Sequence, residues 1–281
     1  MNNLEKEVND KTKKLTGSLK VFGDFIMNNH SVLMNSNTQH LAEVSNISTG
    51  TIYRFIKLFG YKSLEEFAHD YLISAYRDRR PIKQLSTFTN QNLDDWHKRH
   101  FELEMENVGK TGLNFSKEHS QVAAKLILEA KHRWIIGWRL ETSITSYLHY
   151  SFNYMLGNTT YVNSDLIGES ILSFHRNDVL IVVLFQRYSS TTVSIVKQAK
   201  AKGMKIIAIT DSPDNPIKDD VDIMFIAYKQ SFYFLDSYTA ALSISNALIA
   251  EISAIGKDKI YESIIYQEMF FDENNIKPNK E

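Results

Sequence analysis

Four short apolar runs alternate with helical segments in the second half of the chain, and this alternation restricts the possible folds more than any other feature. The runs are RWIIG, DVLIVVLF, MKIIAIT and DIMFIAY, and the helical segments fall near 142–156, 190–202 and 236–255. A continuous apolar strand is typically buried on both faces, and strands joined by helices pair in parallel. Residues 116–265 are therefore predicted to form an α/β domain with a doubly wound parallel sheet.

Helical periodicity dominates the first part of the chain, from Leu19 to Tyr76. The segment NTQHLAEVSN predicts a short helix, and SLEEFAHDYLISAYR predicts a longer one in which Ser63 and Glu66 form a capping box. The segment SLKVFGDFIMNNH is predicted as one amphipathic helix whose inward side chains are Leu19, Val21, Phe22, Phe25 and Ile26. Residues 1–78 are thus predicted to form an all-α domain.

The run RDRRPIKQLSTFTNQN separates these two parts. Pro81 and a cluster of Ser, Thr and Asn interrupt the helical period, so Asp78 to Asn92 is predicted as a linker. Two amphipathic segments follow, LDDWHKRHFELEMENVG and SKEHSQVAAKLILEAK. The complete predicted division is an all-α domain at 1–78, a linker with a connecting helix at 79–115, the α/β domain at 116–265 and a C-terminal tail at 266–281.

Composition excludes several classes of site. The chain has 281 residues, no cysteine and a formal net charge of −1, so disulfides, thiolate metal sites and cysteine nucleophiles are excluded. The nine histidines show no metal-ligand spacing, and no motif for a cofactor is present, so neither a metal nor a cofactor is expected. No uninterrupted apolar run approaches the roughly 18 residues of a spanning helix. The N-terminus does not read as a signal peptide, and a cytoplasmic protein with no membrane partner is expected.

Residues 38–57 fit a helix, a tight turn and a second helix. Ala42 lies where two helices cross closely, and Asn46 lies at the turn, where a left-handed backbone is needed and Asn is tolerated better than most residues. Ile47 is expected to fill the corner and Ser48 to cap the second helix. The apolar side chains that pack this helix back onto the first are Ile52 and Phe55.

Polar and basic side chains remain on the outside of this second helix. They are Thr49, Gly50, Thr51, Tyr53, Arg54 and Lys57, and no acidic residue lies between Asn46 and Leu64. Such residues contact phosphates and base edges when a recognition helix enters the major groove, although any solvated helix face is also polar. The predicted DNA-binding residues are Thr38, Gln39, Ser48, Thr49, Gly50, Thr51, Tyr53, Arg54, Lys57 and Lys62.

A resemblance to a known family rests on this segment. The pattern SxxTxxRFxxxxGYxSxxEF is carried here by Ser48, Thr51, Arg54, Phe55, Gly60, Tyr61, Ser63, Glu66 and Phe67. It resembles the helix-turn-helix of RpiR-type bacterial transcriptional regulators, which join such a domain to a C-terminal sugar-isomerase-like (SIS) domain. The resemblance implies a DNA operator as partner and a phosphosugar, an amino-sugar derivative or a related anionic metabolite as effector, with control of carbohydrate metabolism genes.

The expected ligand site lies beyond the carboxyl ends of the strands, where open α/β sheets bind ligands. IIGWRLETS follows one strand, and LFQRYSSTTV follows another and opens a helix whose N-terminal amides and hydroxyls suit an anion. Arg139 and Arg187 offer guanidinium groups suited to phosphate or carboxylate. The predicted effector-binding residues are Gly137, Arg139, Glu141, Gln186, Arg187, Ser189, Ser190, Thr192 and Asp211.

Other interpretations of this edge stay open. Ser and Thr cap many helices, and Arg139 could simply pair with Glu141 or Asp211. Glu141 stands near the position where the resembled SIS domains carry a phosphate-contacting Ser, so the effector is differently charged or the pocket has partly lost its ligand. Asp236 and Ser237 either line the same crevice or cap helices.

Two rival functions follow from the same features. A constitutive repressor would use its α/β domain only to oligomerise, and a sugar-phosphate isomerase would need a base from among Glu141, Glu169, His149 and His175. None of these four belongs to a catalytic motif, so no catalytic residue is assigned and the chain is not expected to be an enzyme. Because one helix-turn-helix covers half a site, a homodimer or homotetramer is expected, with the helices at 93–107 and 117–130 among its association surfaces.

Overall fold

The computed structural model describes residues 3–90 and 95–274 of the chain. These residues separate into two compact units, each with its own core. Unit 1 comprises Met1–Gln91 with Phe232–Phe234, and unit 2 comprises Asn92–Ser231 with Leu235–Glu281.

Unit 1 is built from seven described helices. They are α1 (Leu4–Thr12), α2 (Gly17–Asn28), α3 (His30–Asn35), α4 (Thr38–Ser45), α5 (Thr49–Lys57), α6 (Leu64–Tyr76) and α7 (Arg80–Thr89). Their core contains an aromatic cluster in which Phe55 packs edge-on against Phe22 and Phe67, with ring centroids 5.1 and 6.1 Å apart. The predicted capping box is present in part, because the Ser63 side chain accepts from the backbone N–H of Glu66 at the start of α6.

The structure confirms one helix prediction in unit 1 and corrects two other predictions there. The segment SLKVFGDFIMNNH lies almost entirely in α2, which ends at Asn28, and the next helix, α3, begins at His30 and was not predicted. Val21 is 54% exposed rather than inward, because α2 turns Phe22 and Ile26 to the core instead. Helical structure also continues into the predicted linker, where α7 has Pro81 in its first turn, while linker positions 91 and 92 lie outside the described residues. Proline is tolerated there because the first helical N–H groups have no intrahelical partner.

Unit 2 is a parallel sheet between layers of helices. Its strands are β1 (Arg133–Ile136), β2 (Thr159–Tyr161), β3 (Val179–Leu184), β4 (Lys205–Thr210) and β5 (Ile223–Ile226), all paired in parallel in the order β2-β1-β3-β4-β5. Its helices are α8 (Trp96–Leu113), α9 (Lys117–Glu129), α10 (Thr142–Leu156), α11 (Ile167–Ser173), α12 (Ser190–Ala201) and α13 (Thr239–Glu273). The predicted doubly wound α/β fold is confirmed, whereas β2 and α11 were not predicted.

Each face of the sheet carries its own core. On one face, α9, α10 and α13 cover Ile135, Ile181 and Ile207. On the other face, α11 and α12 lie over Ile136 and Val182. Burial of all six residues of β3 explains why this strand reads as a continuous apolar run.

Arg133, at the start of β1, is buried although it is charged. It is 2% exposed, and its guanidinium donates to the backbone carbonyls of Ile127 at 2.7 Å and Gly157 at 3.2 Å. Two further carbonyls at the end of α9, those of Leu128 and Ala130, complete its partners. The side chain therefore satisfies the free carbonyls of a helix C-terminus from inside the domain.

The last helix, α13, differs most from its prediction. It continues to Glu273, beyond the predicted helix near 236–255 and into the segment predicted as a tail, with a non-helical residue at Lys257 (φ 23°, ψ −96°). Among the described residues it is the helix long and apolar enough to cross a membrane by length and composition, contrary to the expectation from uninterrupted apolar runs. Its first half nevertheless packs in the core, where Ile244, Leu248 and Ile252 are buried.

Candidate functional site

The turn between α4 and α5 has the geometry expected of a helix-turn-helix. Asn46 adopts the left-handed conformation (φ 55°, ψ 37°), and the N–H of Ile47 returns to the carbonyl of Ala42 at 3.1 Å. Ile47 is buried in the corner, and the Ser48 side chain caps α5 by accepting from the N–H of Thr51 at 3.3 Å. These local roles agree with the sequence analysis, and they fix the direction in which α5 leaves the turn.

The outer face of α5 contains five of the ten predicted DNA-binding residues. Thr49, Gly50, Tyr53, Arg54 and Lys57 are exposed, whereas Ile52, Phe55 and Ile56 are buried on the opposite face. A Cβ placed on Gly50 would meet no atom of the described residues within 4 Å, so packing among those residues does not require glycine at this position.

Thr51 was predicted on the outer face, and this was wrong. Its side chain is 3% exposed, and its hydroxyl lies 3.0 Å from the Ser48 hydroxyl and accepts from Nη2 of Arg54 at 3.0 Å. Thr51 therefore connects the cap of α5 to the guanidinium of Arg54 and holds that guanidinium in place. A partly buried hydrogen bond of this kind restricts the rotamers of a long side chain before it meets a partner.

The remaining predicted residues of this surface extend beyond α5. The hydroxyls of Thr38, at the start of α4, and Tyr53 lie 3.5 Å apart, so the first turn of α4 adjoins the outer face of α5. Gln39 is exposed beside Thr38, and Lys62 is exposed in the bend before α6. We call this set, with Ser48 and the exposed α5 residues, the α5 surface.

In unit 2, the predicted effector residues follow the carboxyl ends of the neighbouring strands β1 and β3. Gly137 is buried directly after β1, and a Cβ there would lie 2.9 Å from the carbonyl oxygen of Val183 and 2.8 Å from Cγ2 of Thr145. Only glycine fits this contact, so the structure shows Gly137 in a packing role. Arg139 follows in a short 3-10 turn (Arg139–Glu141) with φ 63°.

Glu141 is a partly buried carboxylate in the same loop. Burial raises its pKa, and the backbone N–H groups of Glu141 and Phe185 and the charges of Arg139 and Lys229 offset part of that rise. The effect of Phe185 places the carboxylate near the end of β3. This edge of the sheet therefore contains a carboxylate that is harder to ionise than an ordinary glutamate.

The second loop, after β3, leads into α12. Gln186 and Arg187 are exposed, and Arg187 has φ 76°, so both predicted arginines occupy a left-handed backbone that non-glycine residues seldom adopt. Ser189 caps α12 by accepting from the N–H of Thr192 at 3.3 Å, and Ser190 is exposed in the first turn. Thr192 is 1% exposed on the core side of α12, so the structure does not present its side chain to a ligand, contrary to prediction.

Asp211, after β4, is paired with a lysine that the sequence analysis missed. Nζ of Lys229 lies 2.8 Å from Oδ2 of Asp211 and 2.9 Å from Oδ2 of Asp236, and the Lys229 side chain is 12% exposed. It also donates to Oε1 of Gln186 at 3.3 Å. Asp211 therefore pairs with Lys229 rather than with Arg139, and Asp236 lies in the same network.

Tyr188 closes this network from the β3 loop. Its hydroxyl donates to Oδ1 of Asp211 at 3.1 Å, and burial together with that carboxylate raises the pKa of Tyr188 to about 12. Ser237, in contrast, is buried and donates to Oε2 of Glu104 on α8 at 2.6 Å, so it lies outside the network. Lys229 follows the run DIMFIAY, so attention to the carboxyl end of β5 would have found it.

A cavity of about 510 Å³ lies at the opposite edge of the sheet, lined by Lys131, His132, Trp134, Ser173, His175, Asn177 and Asp178. Burial lowers the pKa of His132, whose Nε2 lies 2.9 Å from the hydroxyl of Thr160. The indole N–H of Trp134 donates to Asp178 at 3.2 Å. This cavity is at the amino ends of β1 and β3 and contains none of the predicted effector residues.

Comparison with known proteins agrees with this architecture. Residues 126–251 match the model of the SIS domain family. The chain is 26% identical over 273 residues to an uncharacterised HTH-type transcriptional regulator of Clostridium perfringens, covering 92% of this chain and 90% of that protein.

Two solved structures share the fold. The sugar isomerase domain of an RpiR transcription factor from Sphaerobacter thermophilus matches with a TM-score of 0.60 at 20% identity, covering 63% of this chain and 99% of that one. The Vibrio vulnificus NanR protein complexed with ManNAc-6P matches with a TM-score of 0.58 at 14% identity, covering 95% of this chain and 97% of that one. The chain thus contains a SIS domain, and the resemblance to RpiR-type regulators is confirmed.

Proposed function

We propose that this SIS-domain chain, with the order of parts of an RpiR-type regulator, is a cytoplasmic transcriptional regulator that binds operator DNA through the α5 surface. Its SIS domain senses an anionic metabolite, a phosphosugar or an amino-sugar derivative, and so controls genes of carbohydrate metabolism. The chain acts as a homo-oligomer and is not an enzyme.

The geometry of α4 and α5 supports the proposal that the chain binds DNA through the α5 surface. A helix preceded by a left-handed Asn46 and capped by Ser48 presents its basic face outward, with Arg54 held by Thr51 at 3.0 Å. An α-helix fits the major groove of B-DNA, and Arg reads the edge of guanine or contacts phosphate. The HTH-type relative from Clostridium perfringens supports the same function.

The sensing part rests on the two arginines at neighbouring strand ends. Arg139 and Arg187 both have positive φ, a conformation that costs energy in a non-glycine residue and is concentrated at ligand sites. Arg187 lies just before the N-terminus of α12, where free N–H groups and the hydroxyls of Ser189 and Ser190 suit an anion. The fold shared with NanR, a protein solved with ManNAc-6P, supports a phosphosugar as the effector class.

The mechanism needs only an effector that binds two quaternary arrangements of the oligomer with unequal affinity. Two copies hold two α5 helices about 34 Å apart, one turn of DNA. An effector that binds one quaternary arrangement better than the other shifts the population towards it. A coupling of about 1–3 kcal/mol changes the affinity for DNA roughly 5- to 150-fold.

Enrichment from genomic DNA tests the proposal. The purified chain is incubated with fragmented host DNA at about 150 mM salt, and the bound fragments are sequenced with and without a panel of phosphosugars. We expect a few sites with inverted half-sites.

Arg54→Ala is the matched variant for this experiment. We expect it to weaken binding to a recovered site by about 1–3 kcal/mol with little change in thermal stability, because Arg54 is exposed. Lys83→Ala, which removes a positive charge from α7, is the control and should bind normally. Recovery of bulk DNA by the parent chain, or an Arg54→Ala variant that binds normally, would overturn the proposal.

A further inference from the structure

The cavity at the amino ends of β1 and β3 lies across the sheet from the loops that hold the predicted effector residues. Its volume of about 510 Å³ is within the range of sites for small organic molecules. Side chains from residues 131–134, which lead into β1, and from residues 173–178, which join α11 to β3, line it. We call it the amino-edge cavity.

Asp178 is the charged group that this cavity encloses most deeply. It is 6% exposed, and its Oδ2 accepts from the indole N–H of Trp134 at 3.2 Å and from the backbone N–H of His175 at 3.0 Å. The other oxygen, Oδ1, accepts no hydrogen bond from the part of the chain that the structure describes. Because a buried polar atom almost always has a partner, Oδ1 needs a donor from a ligand or from water.

The two histidines of the lining offer acceptors. Burial lowers the pKa of His132, although the charge of Asp178 acts against this, so the ring is neutral at neutral pH. Nδ1 of His175 lies 2.6 Å from the carbonyl oxygen of Ser173, and because a carbonyl only accepts, this nitrogen carries a proton. Nε2 of a neutral His175 ring is then an acceptor too. The cavity therefore suits a ligand that donates hydrogen bonds.

The walls beside Asp178 are aromatic. The ring centroids of His132 and Trp134 lie 4.6 Å apart, and Trp134 packs edge-on against Phe174 at 5.1 Å. Within residues 3–90 and 95–274, no three His, Asp or Glu side chains are placed to hold a metal ion together. A carboxylate beside aromatic rings is instead the surrounding that an organic cation prefers.

We propose that the amino-edge cavity is a second ligand site, which binds an organic ammonium ion. The ammonium donates to Oδ1 of Asp178, and the apolar part of the ligand lies against Trp134 and His132. An anion would meet the Asp178 carboxylate, and a purely apolar molecule would leave Oδ1 without a donor. Lys131 carries an opposing charge, but its side chain is exposed and long enough to keep the ammonium in water.

Two matched probes test the proposal on the full chain. They are 2-phenylethylamine and 3-phenylpropionate, which carry an ammonium and a carboxylate on the same phenylethyl group. The chain has three tryptophans, so Trp96→Phe with Trp138→Phe leaves Trp134 as the only fluorophore. We expect a saturable change in its fluorescence with the amine, and binding about tenfold weaker or less with the carboxylate. Calorimetry with the parent chain should give the same order of affinities.

Asp178→Asn is the matched variant. Its amide oxygen still accepts from Trp134 and from the N–H of His175, while an NH₂ group that only donates replaces Oδ1. We expect it to bind 2-phenylethylamine about tenfold more weakly, or worse, because a hydrogen bond to a charged group is lost. Asp165→Asn, which changes an exposed carboxylate outside the cavity, is the control and should bind like the parent. Lys131→Gln removes the opposing charge and should bind the amine at least as tightly.

Three results would overturn the proposal. The first is no saturable change with the amine, which would mean that water alone occupies the site at Oδ1. The second is equal affinity for the two probes, and the third is an Asp178→Asn variant that binds the amine like the parent. If circular dichroism shows that Asp178→Asn does not fold, the two probes on the parent chain and the Lys131→Gln variant still decide. No DNA or phosphosugar enters these measurements, so this proposal and the proposed function fail separately.

Discussion

At the scale of single residues, the least expected group is the Lys229 ammonium. It lies between the carboxylates of Asp211 and Asp236 at 2.8 and 2.9 Å, and all three side chains are less than 20% exposed. The network orders the loops after β4 and β5 at the edge where we place the effector. A buried charge that loses its partner is far more costly than one that keeps it.

Lys229→Met should therefore destabilise the chain by about 3–5 kcal/mol. Chemical denaturation of unit 2, followed by circular dichroism, measures the change. Adding Asp211→Asn and Asp236→Asn to the same chain should restore most of the loss, because the uncompensated charges are then gone. A triple variant as unstable as the single one would show that packing of the lysine stem, not charge, is responsible.

The raised pKa of Glu141 predicts the direction in which the stability of the folded chain changes with pH. Burial raises its pKa in the folded chain above the unfolded value, so its contribution to stability is present below the unfolded pKa and is lost as pH rises through the folded pKa. Glu141→Gln removes this loss, and we expect the variant to be more stable than the parent at neutral pH. Thermal unfolding across pH measures the difference, which should vanish once both states of the parent are protonated.

At the scale of elements, the turn between α4 and α5 is the most specific structure in unit 1. The left-handed backbone of Asn46 sets the angle between the two helices, and α5 then depends on the Ser48 cap. Both features are local, which is why residues 38–57 were sufficient to predict them.

Asn46→Ala should destabilise unit 1 by about 1–2 kcal/mol, because the left-handed conformation crowds Cβ against the next carbonyl. Asn46→Gly should be close to neutral, since glycine has no Cβ. Thermal unfolding of the two variants and of the parent chain measures these differences in stability. Equal losses would mean that the Asn side chain itself, rather than its backbone, holds the turn.

The elements that the sequence did not predict are those that depend on tertiary packing. β2 is three residues long and, among the strands of residues 3–90 and 95–274, pairs with β1 alone, so its own pattern is too short to recognise. α7 is helical although Pro81 and Ser/Thr residues suggested a linker. Thr51 was predicted to face solvent because it is polar, but its side chain is buried and its hydroxyl forms hydrogen bonds with Ser48 and Arg54. Long-range partners, such as Lys229 for Asp211, leave no local signal.

At the scale of the whole molecule, the proposal separates two activities between two units. The α5 surface belongs to unit 1, and the arginines at the ends of β1 and β3 belong to unit 2. In the proposed mechanism the oligomer couples the two sites, so a change in the effector site should alter the response and leave the affinity for DNA intact.

Arg187→Ala tests this separation. We expect the variant to bind a recovered operator like the parent, while losing the shift in DNA affinity that ManNAc-6P or another phosphosugar of the panel produces. Fluorescence anisotropy with labelled operator measures both quantities, and Lys197→Ala on α12 is the matched control. A parent chain whose affinity no phosphosugar changes would favour a repressor whose SIS domain only oligomerises.

The strand order also has a consequence for synthesis on the ribosome. β1 ends at Ile136, but its neighbour β3, which joins it to the rest of the sheet, is complete only at Leu184. At about 5–20 residues per second, the apolar β1 therefore waits roughly 2–10 s with only the three-residue β2 to pair with. The helices of unit 1 are all made before β1, so they can form and pack in that interval. Unit 2 is thus the part of the nascent chain whose apolar strands stay unpaired longest, and slow codons just after position 184 would give β3 time to pair with β1 before β4 is made.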